Sequence, residues 1–503
     1  MKRIITHFPY AALIFPAVTV LILAANNLGQ ILFSAVWRTL LISLAFALGL
    51  ILLSWLFLRD LTRAGIMAFL VGFFTLTYGH FFDLMDGRVI GNWVIGTHLY
   101  MLILWGILFG VSTYFLVFRL KNSENLSHIL NFVVLALLIF QIGKITVNEV
   151  KVGIANAQTE QDEFDPTLLH LETSTNSPDV YFILLDKYGR SDALKAYFNY
   201  DNSDFIQGLK DLGFWVADCS RSNYSFTVMS LASQLNMDYV EHLTDTPNLK
   251  TTSALINNNV VHQAFKDTGY TTIAFDMGFS WGNMKSFDHY YDTYPEDLNT
   301  WYMNPFEILY LKSTIGILVF EDKSELGVQV TLSDLERKAE RTNLILDVLP
   351  DIPRIPGPKF VHAHIVSPHP PYVFNADGSL NPDAEDTTEK EGYPAQLAYL
   401  EPRILADVQQ IIERSKRPPI IIIEGDHAFD DKYVTSNLLA LYLPDGGTEG
   451  LDEHMTLINV FPYIFNTYFG TNIQYFPDLS YTHTKDWYES VPIEEWNSNC
   501  IQN

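Results

Sequence analysis

Ile420-Ile421-Ile422-Ile423-Glu424-Gly425-Asp426-His427 is a run of four isoleucines that ends in a glycine, a carboxylate and an imidazole. An unbroken branched apolar run of this length reads as a strand buried on both faces, which is the signature of a parallel sheet covered by helices. In open α/β sheets, ligands bind beyond the carboxyl ends of the strands. Asp426 and His427 stand at such an end, and an oxygen-nitrogen pair there suits a divalent transition metal.

Working outward, apolar runs alternate with helical patterns from Pro178 onward. The strands expected are Asp179–Leu185, Thr272–Phe275, Phe360–Val366, Ile420–Glu424 and Leu439–Leu443. The helices between them are Ser191–Phe198, Ser230–Asn236, Val260–Thr268, Leu332–Leu349 and Gln396–Ser415, with Pro402 at an early turn of the last. The alternation predicts a mainly parallel sheet sandwiched by helices. Right-handed crossovers bring three polar strand ends to one edge: Asp186, the stretch Ser367-Pro368-His369, and Asp426-His427.

A fourth element is the hydroxyl-rich run Ser222 to Ser233, just ahead of a helical pattern. Hydroxyl residues there serve as helix caps. The sharper reading makes Thr227 a nucleophile at a helix amino terminus, where the free amide groups favour an alkoxide and an anionic substrate. Lys187, Arg190 and Arg221 lie close in sequence to Asp186 and Thr227 and are candidate anion-binding groups. His362 and His364 alternate on one strand and so share a face, as ligands or as core histidines. The polar segment from Asn375 to Gly392 follows His369 and is either a lid or a plain surface loop.

The first 150 residues differ in kind. Five apolar stretches, roughly 10–29, 34–58, 64–84, 99–118 and 126–148, are each long enough for a bilayer core and apolar nearly all round. Lys2, Arg3, Arg59, Arg63, Arg119 and Lys121 flank alternate loops, which places the amino terminus in the cytoplasm and everything after the fifth span outside. Arg38 and Lys144 sit near span ends and are expected to snorkel, while His80 with Asp83 hints at a polar intramembrane site. Residues 151–177 read as a linker in which Leu168, Leu169 and Leu171 dock nearby, and 178–503 as an extracytoplasmic catalytic domain.

Charge divides along the same line. Residues 1–150 carry nine Lys and Arg against five Asp and Glu, so of the net charge of -25 the remainder holds about -29. So acidic a domain is unsuited to sequence-independent nucleic-acid binding. Cys219 and Cys500 form no metal-knuckle spacing; outside the cell they could form one bridge. The sequence sets no oligomeric state.

With these motifs in order, the chain resembles the alkaline phosphatase and sulfatase superfamily over roughly residues 178–482. More narrowly, it resembles membrane-anchored sulfatase-like transferases: lipoteichoic acid synthases, phosphoethanolamine transferases and phosphoglycerol transferases. The residues that carry this are Pro178 to Asp186, Thr227, Pro368-His369-Pro370-Pro371-Tyr372, Gly425-Asp426-His427, Asn437 to Pro444 and Asn466 to Gly470.

The resemblance implies one divalent cation, zinc or manganese, held by Asp186, Thr227, Asp426 and His427. It implies Thr227 as the nucleophile and His369 as a contact to the substrate's phosphate or sulfate. A membrane lipid would be the donor of a phosphoryl-linked head group and a cell-envelope glycan or lipid its acceptor, at the inner membrane. A phosphate- or sulfate-ester hydrolase of the same fold and a non-catalytic membrane scaffold are the competing readings. The chain departs from the pattern at Asp186, where many of the lipid-linked transferases have Glu, and at Ala428, where Gly is commoner. Thr227 cannot become the formylglycine of type I sulfatases, and no set of one Asp and two His marks a second metal.

Overall fold

The computed structural model describes residues 9–27, 35–86, 88–90, 93–159, 169, 171–173, 177–282, 284–292, 305–320, 332–493 and 500. The chain divides into two compact units: Met1–Ile154 with Asn299–Thr331, and Ala155–Leu298 with Leu332–Asn503.

The first unit is helical: α1 (Tyr10–Asn26), α2 (Trp37–Leu58), α3 (Leu61–Leu76), α4 (His98–Tyr114) and α5 (Ser123–Thr159). A bilayer offers no water to backbone amides, so a spanning segment must satisfy them internally. Among the described residues, four helical stretches are long and apolar enough to cross: Trp37–Leu58, Leu61–Met85, His98–Arg119 and Ser123–Val147. The helix Tyr10–Asn26 is apolar but shorter. Asp60 caps α3 by accepting from the amide of Arg63. His80 and Asp83 are exposed on the short helix Tyr78–Met85 that continues α3. Helix α5 runs nine residues into the segment read as a linker. Of that segment's leucines, Leu171 is buried and is followed by Glu172, whose amide bonds to the carbonyl of Phe469; Leu168 lies outside the described residues.

The sequence reading left Asn299–Thr331 in the catalytic domain, but by contact it goes with the helical unit. Phe306 and Tyr310 of the helix Pro305–Lys312 pack on Val20, Leu23 and Leu76, and Ile317 packs on Phe82 and Trp105. Arg38, expected to snorkel, instead forms an ion pair with buried Glu307. The contacts made to Leu23, Arg38, Leu76 and Trp105 lie at the end of α1, the start of α2, the end of α3 and the first half of α4. In an up-and-down bundle these positions share one end.

The second unit is built on a seven-stranded sheet. Its strands are β1 (Val180–Leu185), β2 (Trp215–Val216), β3 (Thr271–Phe275), β4 (His289–Tyr291), β5 (Lys359–Ile365), β6 (Ile420–Glu424) and β7 (Leu439–Tyr442), in the order β2-β7-β6-β1-β5-β3-β4. The five strands from β6 to β4 are parallel, and β7 is antiparallel to both of its neighbours. Alternation along the strands feeds two apolar layers. Ile183, Ile365, Ile421 and Ile423 meet Leu397, Leu400 and Ile404 on one face. On the other, Phe182 packs edge-on against Phe461, and Phe360 stacks on Phe265. All four isoleucines of β6 are fully buried, each worth about 1.5–3 kcal/mol of apolar transfer.

The expected sheet, sandwiched by helices, is thus present, and β2 and β4 are additions at its edges. Two expectations change. Pro402 lies in the interior of a helix that starts seven residues earlier than read, at Glu389. The polar segment after Asn375 is packed down, with Phe374 and Ala384 buried against Leu335 and Ala339.

Candidate metal centre and nucleophile

Register brings the site together. In the parallel pair β1–β6, Leu184 stands opposite Glu424. Two residues further along each chain, this places Asp186 beside Asp426. In the pair β1–β5, Leu184 stands opposite His364, and the amide of Asp186 extends that ladder to the carbonyl of Ile365. Strand β1 is flanked by strands that come later in sequence on both sides, so this edge is a topological switch point.

Gly425 lets β6 end where it does. A Cβ there would meet the carbonyl oxygen of Tyr188 at 2.1 Å. The amide of Lys187, a residue with a positive φ of 69°, donates to Asp426 Oδ1 at 2.8 Å. The chain after β1 is therefore folded tightly against the chain after β6.

Thr227 opens helix α6 (Thr227–Gln234), with Phe226 rather than a hydroxyl residue at the cap position. Its Oγ1 lies 3.1 Å from His427 Nε2. Ser230, one turn on, donates to the carbonyl of Asp426 at 2.7 Å and pins the helix to the strand end. The imidazole of His427 is oriented from behind: Nδ1 donates to the carbonyl of Ala428 at 2.7 Å. That bond fixes the tautomer, leaving the Nε2 lone pair directed at Thr227 and Asp426.

Asp186, Asp426 and His427 each offer one ligand atom, all within 4.8 Å of one another. Asp186 Oδ1 and Asp426 Oδ2 are buried with no hydrogen-bond partner. Two adjacent buried carboxylates with orphaned oxygens are costly unless a cation joins them. With the imidazole of His427 they offer a donor set that fits a divalent metal ion. Burial works to raise the pKa of Asp186, but His369, His364 and His427 outweigh it and hold the carboxyl below its usual range. The last residue of β6, Glu424, shows the opposite balance. Burial, against a hydrogen bond from Gln234 and reinforced by the charge of Asp426, pushes it well above the usual carboxyl range.

The other expected site residues fall in different places. His369 is half-buried beyond β5, with Nδ1 donating to the carbonyl of Pro370 at 2.6 Å so that Nε2 remains for a ligand. Burial lowers its pKa, and the charge of Asp186 partly restores it. The ammonium of Lys187 pairs with Glu389 at 2.9 Å. Arg190 is bound by Asp192 through two nitrogens and by the carbonyl of Ser220, so it braces the chain rather than presenting a free guanidinium. Arg221 is half-buried, and burial lowers its pKa against the charge of Asp478.

Lys338 escaped the sequence reading, and His364 entered it only as one of two histidines on a shared face. His364 Nε2 lies 3.0 Å from Asp186 Oδ2. The ammonium of Lys338 bonds to the carbonyls of His369 and Pro371, and burial lowers its pKa to about 7. Both line a cavity of about 100 Å³ together with Asp276, Arg341, Pro370 and Pro371. The parallel register of β1 and β5 is the signal that sets His364 beside Asp186. His362, by contrast, packs edge-on against Phe182, and burial drives its pKa down to about 3, as for a neutral core histidine.

No protein-family model matches the chain. No curated protein matches it either. Solved structures do. The C-terminal periplasmic domain of EptC from Escherichia coli is 11% identical, with 66% of this chain and 98% of that one covered at a TM-score of 0.40. The integral membrane lipooligosaccharide phosphoethanolamine transferase A from Neisseria meningitidis is 10% identical, with 90% and 95% covered at 0.37. The lipoteichoic acid synthase LtaP from Listeria monocytogenes is 14% identical, with 58% and 71% covered at 0.37.

Proposed function

We propose that this chain is a metal-dependent, membrane-anchored transferase that moves a phosphoryl-linked head group from a membrane lipid to a cell-envelope glycan or lipid. The observation that carries the reading is Thr227. Its hydroxyl stands at a helix amino terminus, 3.1 Å from an imidazole nitrogen whose tautomer is fixed, beside two buried carboxylates with unpartnered oxygens.

In this reading Asp186, Asp426, His427 and Thr227 hold one divalent cation. When bound, it would lower the pKa of the threonine hydroxyl and polarise the phosphoryl oxygen. The Thr227 oxygen forms a bond to phosphorus as the bond to the lipid alcohol breaks, and that alcohol leaves with a proton. The hydroxyl oxygen of the acceptor then attacks the same phosphorus, and Thr227 departs and regains its proton. His369, with Nε2 free, contacts the phosphate. Splitting transfer into two displacements is the advantage of a covalent nucleophile. The five apolar helices suit a lipid donor better than one anchoring span would require.

The basic loops around Arg59, Arg63, Arg119 and Lys121 support a cytoplasmic amino terminus and a catalytic unit outside. The disulfide between Cys219 and Cys500 also supports an oxidising compartment.

The test uses purified full-length protein, elemental analysis for zinc and manganese, and incubation with phosphatidylethanolamine and phosphatidylglycerol. Mass spectrometry then reads the Thr227 peptide. A head-group adduct on Thr227, absent from Thr227→Ala and from chelator-treated protein, is expected. A metal-free protein without adduct overturns the proposal. Release of free phosphate or sulfate with no acceptor dependence replaces it with the hydrolase.

A further inference from the structure

The strand Tyr481–His483 pairs antiparallel with Ser490–Pro492, and this hairpin wraps the chain that leads into Thr227. The amide of Tyr481 bonds to the carbonyl of Asn223, Ser480 Oγ to the carbonyl of Ser222, and the amide of His483 to Ser225 Oγ. Cys500, beyond the hairpin, is joined to Cys219. At the hairpin tip Trp487 packs against His483 with centroids 4.0 Å apart, and against Phe226, the residue before Thr227, at 5.2 Å. Locking the nucleophile loop does not need the indole. Tyr488 is buried and packs on Phe226 at 5.6 Å, whereas Trp487 remains 42% exposed.

Resting on the transferase reading, we infer that Trp487, with Phe226 and His483, is the platform that receives a sugar ring of the acceptor. An exposed indole, backed by other rings and bordered by polar groups, matches a pyranose, whose C–H face is apolar and whose edge is hydroxylated. Thr484, Lys485, Asp486 and Glu489 border this one in the connecting turn. The bordering charges are net acidic, as is the whole catalytic region, which disfavours an anionic head group and leaves a neutral ring unaffected. A cage for an ammonium group sets rings around a cation; here the rings pack on one another. Phe226, on which Trp487 packs, directly precedes Thr227, so the platform is joined to the loop that carries the nucleophile to which the acceptor must come.

The test is saturation-transfer NMR on full-length protein in an uncharged, sugar-free polyoxyethylene detergent. The probes are methyl β-D-glucopyranoside and N,N′-diacetylchitobiose. Transfer to at least one sugar is expected, reduced fivefold or more in Trp487→Ala, retained in Trp487→Phe, and insensitive to salt. No transfer to either sugar, equal transfer in Trp487→Ala, or displacement by choline chloride overturns the inference. This reading needs no turnover, so it stands apart from failure of the transferase proposal. Where the Thr227 adduct forms, it is expected to persist tenfold longer in Trp487→Ala when chased with β-glucosyl diacylglycerol. Equal lifetimes in the two proteins would also overturn the platform.

Discussion

His364 Nε2 lies 3.0 Å from Asp186 Oδ2, and neither side chain is more than 3% exposed. One carboxylate oxygen is thereby held, and the other, Oδ1, is left without a partner on the side of Asp426 and His427. In the proposed metal site, His364 is thus an outer residue that aims the ligand Asp186. It also ties the third strand of the site, β5, to the other two.

His364→Ala should therefore weaken metal binding without touching a proposed ligand. The loss expected is about 10–100-fold in affinity, the usual effect of removing such a support. Losing the imidazole also removes a group that holds the Asp186 carboxyl low, so the metal competes with a proton to higher pH in the variant. Zinc competition against a chelator between pH 5 and 8, with circular dichroism as a folding control, reads both effects. Affinity within twofold of the parent at every pH would reduce His364 to a core histidine.

Gly425 makes a sharper steric prediction. In Gly425→Ala the new methyl would meet backbone atoms of Tyr188 at 2.1, 2.9 and 3.1 Å, and backbone cannot rotate away as a side chain can. The strand end carrying Asp426 must shift, at an overpacking cost of about 1–3 kcal/mol. The variant should melt several degrees lower and lose metal affinity. Gly143→Ala, in α5, meets nothing within 4 Å and serves as the contrast. If Gly425→Ala retained both parent melting and parent metal affinity, the close approach of the two chain ends would be disproved.

These relationships show which parts of the molecule were legible beforehand. Strand β6 was read to the residue, because four isoleucines in a row leave no amphipathic alternative. Asp186, Thr227, Asp426 and His427 were readable as types at strand and helix ends, and register completes the argument for their meeting. His364 was seen only as one of two histidines sharing a face, since pairing it with Asp186 needs the β1–β5 register that no local pattern encodes. Arg190 was misleading for a related reason: its partner Asp192 is two residues away, and charge in sequence does not reveal which cations are already bound. Arg38 and Glu307 are 269 residues apart. Between Asn299 and Thr331 the apolar runs are short, Ile308–Leu311 and Ile315–Phe320, far below the length of a bilayer span, so nothing in them distinguished packing in the helical unit from packing in the sheet unit.

Glu401 supplies a prediction about pH. Its carboxylate is buried and accepts from Tyr188 Oη at 2.6 Å and Tyr200 Oη at 2.9 Å. Burial raises its pKa from about 4.5 to about 7 against those two bonds. The folded protein therefore keeps a proton that the unfolded chain has released between these values. Its contribution to stability is complete below about pH 4.5 and is lost as pH rises through 7, with an upper size of about 3 kcal/mol. Asp407, raised to about 7 chiefly by burial, slopes the same way, so the total profile cannot isolate Glu401. The difference between parent and Glu401→Gln can, because every other titration cancels in it. The variant should melt close to the parent at pH 5 and gain on it steadily to pH 8, as only the parent ionises a buried carboxyl at position 401. Fluorescence-detected melting in detergent at pH 5, 6, 7 and 8 reads this difference. A constant offset across that range would mean that Glu401 is ionised throughout, with its charge carried by the two tyrosine hydroxyls.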